Sequence, residues 1–138
     1  MKKYKFVKSN EMKIDVFPSQ KNQISSKNKI KENIKNENVL AFDVYDSNNL
    51  IAFVMLREFE ENQYFLWNFA IDKSYQNRGY GQNILKALID FLKQNYNLKK
   101  LTTTYKIGNQ HAKYIYEKIG FKEKEIDNEM QEINMELM

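Results

Sequence analysis

Tyr75-Gln76-Asn77-Arg78-Gly79-Tyr80-Gly81 is the stretch from which the rest of the chain is read. It follows an apolar run, Tyr64 to Ile71, that reads as a strand. It opens a helix, Gln82 to Asn95, in which Ile84, Leu85, Leu88, Phe91 and Leu92 recur at helical spacing. Backbone N–H groups at a helix start have no partner within the helix and carry the positive end of its dipole. Glycines allow a tight turn and let a phosphate approach the backbone closely. Arg78 adds a permanent charge, and Gln76 adds a side-chain donor. The same residues also describe a plain turn beside a surface arginine, because short glycine loops are common. The dinucleotide fingerprint is absent, since G-x-G-x-x-G is not present, and no Gly-Lys-Ser/Thr completes a P-loop.

Working outward, Tyr4 to Lys8 predicts a short strand, and Glu11 to Gln20 a first helix interrupted near Pro18. Ser26 to Asn36, with Ile30 and Ile34 four apart, predicts a shallow second helix. Val39 to Tyr45 and Leu50 to Phe59 form a hairpin around Asp46-Ser47-Asn48-Asn49. Tyr64 to Ile71 is apolar on both faces and predicts a central strand buried on two sides. Beyond the long helix, Lys99 to Ile107 alternates as a strand. Asn109 to Ile119 is a helix stopped by Gly120, and Phe121 to Ile126 pairs with Gln131 to Leu137. The order β-α-α-β-β-β-α-β-α-β-β is that of a mixed α/β domain. The 138 residues show no repeat or linker, so one domain over 1–138 is expected.

Composition removes several chemistries. There is no cysteine, which excludes disulfides, thiolate-held metal and a cysteine acyl-enzyme. His111 is the only histidine, so a histidine metal cluster cannot be assembled and no metal is expected. Twenty-two Lys+Arg against 18 Asp+Glu give a formal net charge of +4, which suits a solvated surface or an anionic, phosphate-bearing cofactor. No dense basic run alternates with aromatics, so nucleic acid is not an expected partner. The basic start Met-Lys-Lys-Tyr-Lys-Phe has no apolar stretch after it, and no run is long enough to cross a membrane. The expectation is a soluble, cytoplasmic protein.

Two motifs resemble those of the GNAT N-acetyltransferases. Gln76-x-Arg78-Gly79-x-Gly81 matches the family's Q/R-x-x-G-x-G/A loop, placed as in the family between a strand and a long helix. Asn109 to Phe121 resembles N-x-x-A-x-x-L-Y-x-K-x-G-F at every specified position, with Ile115 where leucine is usual. The resemblance spans Phe65 to Phe121; the N-terminal third is far less diagnostic. It implies a single GNAT-type domain with a mixed central sheet flanked by helices. Acetyl-CoA is then the cosubstrate, its pyrophosphate held by the loop of Gln76, Arg78, Gly79, Tyr80 and Gly81. Asn109 contacts the pantetheine arm or orders the loop. Tyr116 lies where the family places a general acid for the departing thiolate. A thiol has a pKa near ~8.5 and a phenol near ~10, so a hydrogen-bonded phenol can stabilise or protonate that thiolate. Read from the residues alone, Tyr116 is first a core aromatic beside Ala112, Ile115 and Ile119.

The resemblance further implies that the strand Phe65 to Ile71 and the next parallel one, Leu101 to Ile107, splay apart. Pantetheine enters the gap and pairs with the backbone at Phe69, Ala70 and Ile71 as an added strand would. A backbone amide there polarises the thioester carbonyl. Glu58, Glu60 and Glu61 are candidates for the base that deprotonates the amine, or are solvated turn residues. Trp67 walls an acceptor pocket or is core. Tyr114 is read as structural and His111 as a surface residue. Within the family the chain is most similar to small bacterial spermine/spermidine acetyltransferases, on Ser19-Gln20 and on Phe69 to Gln76. A polyamine is therefore the first acceptor to consider, with a peptide N-terminus, a lysine or an aminoglycoside as alternatives. A catalytically silent CoA-binding module is the rival of another class, and the intact Tyr116 speaks against it. The sequence does not reveal oligomeric state; family members often dimerise, so a homodimer is an open expectation. With no cysteine, the amine is expected to attack directly in a ternary complex. Intact mass spectrometry after exposure to acetyl-CoA alone should show no stable acetyl-enzyme above chemical background.

Overall fold

A computed structural model describes residues 4–138, so Met1, Lys2 and Lys3 of the basic start lie outside the described residues. Among the described residues, seven strands form one sheet in the order β1-β2-β3-β4-β5-β7-β6. They are β1 (Tyr4–Lys8), β2 (Val39–Asp46), β3 (Asn49–Glu60), β4 (Gln63–Ile71), β5 (Lys100–Lys106), β6 (Lys122–Asp127) and β7 (Glu132–Leu137). The helices are α1 (Lys27–Ile34), α2 (Tyr80–Tyr96) and α3 (Gln110–Ile119), with short 3-10 turns at Pro18–Gln23 and Lys73–Tyr75. The mixed α/β architecture and the order of its elements are those read from the sequence.

The first helix is the exception. Residues 11–17 are not helical; Met12, Ile14 and Val16 are buried while Glu11, Lys13 and Asp15 are exposed. That alternation has period two, so the segment lies extended along the sheet. Lys13 Nζ reaches Asp43 on β2 at 2.8 Å, and the backbone N–H of Ser9 donates to Ala41. Only Pro18–Gln23 coils, with proline at its start, where a missing N–H costs nothing.

The two faces of the sheet bury different layers. On one, α2 supplies Ile84, Leu85, Leu88, Ile89 and Leu92, all buried, each worth about 1.5–3 kcal/mol as a transfer term. Phe91 of α2 stacks on Phe6 at 4.9 Å and meets Phe42 edge-on at 5.3 Å. On the other, the extended segment and α1 cover Ala41, Phe53, Met55 and Ala70. The strand buried on both faces is β3, whose residues Ile51 to Leu56 are all fully buried. Contrary to the sequence expectation, β4 alternates buried and half-buried residues along its whole length, and its second neighbour leaves it partway along.

That departure shapes the molecule. Among the described strands, β4 and β5 are the only parallel neighbours, and they pair only at Gln63↔Lys100, Tyr64↔Leu101 and Phe65↔Thr102. Beyond Phe65, β4 keeps its ladder with β3 as far as Ile71, while β5 keeps its ladder with β7 as far as Lys106. The strands thus splay into a fork. β4 also carries a bulge: Leu56 faces Leu66 and Met55 faces Asn68, leaving Trp67 as the extra residue. Before it, Tyr64 and Leu66 join the α2 layer; after it, Phe69 and Ile71 do, and Ala70 joins the α1 layer. The bulge therefore exchanges the faces of β4 at the mouth of the fork. Another bulge lies in β6 between Glu123 and Glu125.

Candidate active site

The turn between β4 and α2 is anchored on several sides before it reaches the glycines. The Asp72 carboxylate accepts from Ser74 N–H at 3.0 Å and from Asp15 N–H at 3.0 Å. Lys73 N–H donates to the Asp15 carbonyl at 2.7 Å. Gln76 and Gln20 exchange side-chain hydrogen bonds, both 2.8 Å, and Gln76 Nε2 also donates to the Ile71 carbonyl at 2.9 Å. Both N–H groups of the Gln76 amide are therefore engaged inside the protein. The side-chain donor expected of Gln76 holds the turn in place, and the Ile71 carbonyl already accepts one bond.

Asn77 and Gly79 both adopt left-handed backbone, with φ of 62° and 80°. Gly79 is the N-cap of α2 and has no side chain to satisfy the first-turn N–H groups. A Cβ on Gly79 would meet nothing within 4 Å, so the requirement for glycine there is conformational. A Cβ on Gly81 would lie 3.5 Å from Ile115 Cδ1, an ordinary contact, which brings α3 against the start of α2. Arg78 is exposed, its guanidinium 5.7 Å from the Tyr75 ring. The Tyr80 side chain turns inward and donates to Asp46 Oδ2 at 2.9 Å, so what Tyr80 can offer the loop is its backbone.

α3 delivers the second motif. Asn109 caps it, its Oδ1 accepting from Ala112 N–H at 3.1 Å, and Gly120 ends it in left-handed conformation at φ 119°. Ala112, Ile115, Tyr116 and Ile119 pack on the α2-side core. The Tyr116 ring lies 5.4 Å from that of Phe121. Burial pushes the Tyr116 phenol above the usual tyrosine range, and the nearby Thr103 hydroxyl offsets part of that rise. The phenol is therefore protonated at neutral pH. Thr103 lies at the crotch of the fork, its hydroxyl donating to the Leu66 carbonyl at 3.3 Å. Tyr116, Thr103 and the first residue of β4 beyond its pairing with β5 thus stand together.

The remaining candidates separate from this point. Glu58 accepts from Asn62 N–H at 2.9 Å and Glu60 from the Gln63 amide at 3.4 Å, both at the paired end of β4 and away from the fork; Glu61 is exposed. Glu58 also helps to raise the phenol pKa of Tyr64, after burial as the larger cause. Asn68 is buried, its amide accepting from Ser25 N–H at 2.9 Å and donating to Ser25 Oγ at 3.3 Å, which pins the chain before α1 to β4. Trp67 is half-buried with Arg57 above it at 5.5 Å, and Arg57 also lies 5.8 Å from Phe65. His111 is exposed, and Tyr114, 56 % exposed, receives a hydrogen bond from Lys118. On the α1 side of the fork a cavity of about 240 Å³ opens over Phe65, Thr102, Thr104, Asn134, Glu125 and Glu136. Lys100 pairs with Glu136 there at 3.2 Å. Sequence reasoning missed Thr103 and the Gln20–Gln76 pair. A threonine between core-facing Leu101 and Tyr105 was the available signal for the first. Among the described residues, no group of three His, Cys, Asp or Glu could hold a metal ion, and no helix is long and apolar enough to cross a membrane.

The model of the Acetyltransferase (GNAT) family matches residues 9–121. Among curated relatives, the probable spermine N(1)-acetyltransferase of Bacillus subtilis subsp. natto (strain BEST195) is 34% identical over 86 residues, 57% of each chain. The spermine/spermidine N(1)-acetyltransferase of Bacillus subtilis (strain 168) is 33% identical over the same share of both chains. The chain thus spans little more than half the length of these relatives. A GNAT acetyltransferase from Elizabethkingia anophelis with acetyl-CoA bound superposes with a TM-score of 0.73 at 18% identity, over 97% of both chains. Spermidine N-acetyltransferase from Vibrio cholerae in complex with CoA and spermine gives 0.68 at 21% identity, over 82% of this chain and 75% of that one. At these identities the two structures establish likeness of fold.

The internal anchoring of Gln76 and the exposure of Arg78 give opposite expectations for stability. Gln76→Ala should lower the unfolding free energy by about 1–3 kcal/mol, because it leaves the buried side of the Gln20 amide unpaired. Arg78→Ala should stay within about 0.5 kcal/mol of the parent. Urea denaturation of both variants checks the pair.

Proposed function

Because the chain belongs to the GNAT family of acetyltransferases, we propose that it transfers the acetyl group of acetyl-CoA to a primary amine, with a polyamine as the acceptor class. The observation that carries this reading is the fork with Tyr116 and Thr103 at its crotch. A parted pair of parallel strands, lined by backbone groups and ending at a protonated phenol, suits a thioester on an extended arm. The similarity to spermine and spermidine acetyltransferases supports the acceptor class. On this reading the protein works in the cytoplasm, where acetyl-CoA and polyamines meet.

The backbone N–H groups of the glycine turn and the start of α2 then bind the pyrophosphate, with Arg78 supplying charge from the exposed side. Phe69, Ala70 and Ile71 offer backbone groups to the pantetheine arm on the edge of β4 that β5 has left; Ile71 is the most committed of the three. Asn109 orders the start of α3 beside that arm. A backbone N–H in the stretch of Phe69, Ala70 and Ile71 polarises the thioester carbonyl. The acceptor arrives from the α1 side through the cavity over Phe65 and Thr104, opposite the face that α3 closes. A neutral amine attacks the carbonyl carbon. The new C–N bond forms as the C–S bond breaks, the amine gives up one proton, and the departing sulfur gains one. Tyr116 stabilises that sulfur by hydrogen bonding or proton donation.

Acetyl-CoA should bind and raise the melting temperature. Gly79→Val forces a β-branched residue into left-handed backbone and sets a side chain over the anion cradle. Its dissociation constant for acetyl-CoA, measured by calorimetry, should rise by at least about tenfold, corresponding to ~1.4 kcal/mol. Parental affinity in that variant would remove the pyrophosphate assignment.

Tyr116→Phe keeps the ring against Phe121 and deletes the hydroxyl. Turnover should fall by about 10²–10⁴-fold while acetyl-CoA affinity and melting temperature change little. Thiol release over a panel of polyamines, peptides and aminoglycosides measures both the loss and the acceptor class. A panel with no turnover by the parent protein would sink the transferase reading.

A further inference from the structure

Gln20 belongs to the short 3-10 turn Pro18–Gln23, far from the glycine turn in sequence and bonded to it in space. Its side-chain amide is engaged at both ends. Oε1 accepts from Phe17 N–H at 3.3 Å, which closes its own turn, and from Gln76 Nε2 at 2.8 Å. Nε2 donates to Gln76 Oε1 at 2.8 Å. Fixing two glutamine side chains against each other sacrifices rotamer freedom at both, although each is half-buried and could reach water. The glycine turn does not depend on this pair alone, because Gln76 Nε2 also donates to the Ile71 carbonyl at the end of β4. What Gln20 adds is a hold on the chain to which it belongs.

That chain leads to the fork. Upstream it is pinned at Asp15, which bonds Asp72 and Lys73. Downstream it is pinned at Ser25, which exchanges two hydrogen bonds with the buried Asn68 amide of β4. Ile24, just before Ser25, packs in the same α1-side cluster as Trp67. Trp67 and Phe65 share the Arg57 guanidinium, and Phe65 lines the cavity on the α1 side. Residues 17–25 therefore connect the glycine turn to the mouth of the fork, and Gln20 secures them between the two outer pins.

We propose that Gln20 is a positioning residue for the amine acceptor: by pairing with Gln76 it holds residues 17–25 as a wall beside the fork, in register with the turn assigned to the cofactor. This rests on the transferase reading and on the approach of the acceptor from the α1 side. Gln20 acts through the segment and need not touch the amine. The amine nitrogen must come within about 3–3.5 Å of the carbonyl carbon, so a wall that shifts by a fraction of that distance weakens productive capture.

The test uses the full chain with acetyl-CoA and the best amine of the panel. Gln20→Met keeps side-chain length and removes the amide. It should raise KM for the amine at least about fivefold, with Kd for acetyl-CoA by calorimetry within about twofold of the parent. Gln76→Met, which also loses the Ile71 bond, should raise the amine KM at least as far. The double variant should lie within about twofold of Gln76→Met in amine KM, because both changes delete the same pair. A purely structural role would lower the urea midpoint of Gln20→Met and leave the amine KM of the folded protein parental. That result, an equal loss of affinity for both ligands, or full additivity with Gln76→Met each overturns the inference. If Gln20→Met does not fold, Gln20→Asn, whose amide is one methylene too short to reach Gln76, carries the same expectations. Parental amine KM in a variant of an active parent removes this inference alone. A parent that acetylates no amine removes the transferase reading and this inference with it.

Discussion

The molecule is organised by a conflict that β4 and β5 cannot both resolve in their own favour. Each has an antiparallel partner on its far side, β3 for one and β7 for the other, and those ladders run the length of the strands. Sheet twist rotates successive strands against each other, and the Trp67 bulge adds to it locally. Keeping the outer ladders therefore opens the inner pair after Phe65 and Thr102. The separation leaves backbone groups unpaired in the middle of a sheet, where an unpartnered donor or acceptor is costly. Where the fork opens, the Thr103 hydroxyl supplies one of those bonds, to the Leu66 carbonyl.

The other elements converge on that opening by packing. α2 is held to the sheet by a row of buried aliphatic side chains, so its N-terminal turn is fixed in position just past the end of β4. α3 meets that same turn where Ile115 packs beside Gly81. Tyr116 follows Ile115 directly, so the contact that sets the helix pair also sets the phenol. The glycine turn and the Tyr116 end of the candidate site are thereby parts of one packing arrangement.

Local signals carried most of this into the sequence. The spacing of Ile84, Leu85, Leu88 and Leu92 gave α2 away, and Asn109 and Gly120 bracketed α3 because cap residues act within a turn of where they stand. What escaped depends on residues far apart in the chain. Residues 11–17 contain good helix formers, yet the sheet beneath them selects the period-two pattern of Met12, Ile14 and Val16. The bulge at Trp67 exists only relative to β3, and no property of Tyr64 to Ile71 alone announces it. Gln76 looked like a free donor because its partner, Gln20, is 56 residues away. Thr103 looked like one more β-branched strand residue because its partner, the Leu66 carbonyl, lies on another strand.

The outermost strand also bears on how the protein behaves in concentrated solution. β6 ends the sheet and so presents unpaired backbone groups, the usual template for one chain to add to another. Its sequence there is Lys122-Glu123-Lys124-Glu125, and the bulge between Glu123 and Glu125 interrupts its regular pleat. Charged side chains along the edge and a strand too irregular to extend the ladder both discourage a second copy from adding there. Strand-by-strand polymerisation through this edge is thereby opposed by charge and shape together, which leaves the sheet's end able to face water without a covering helix.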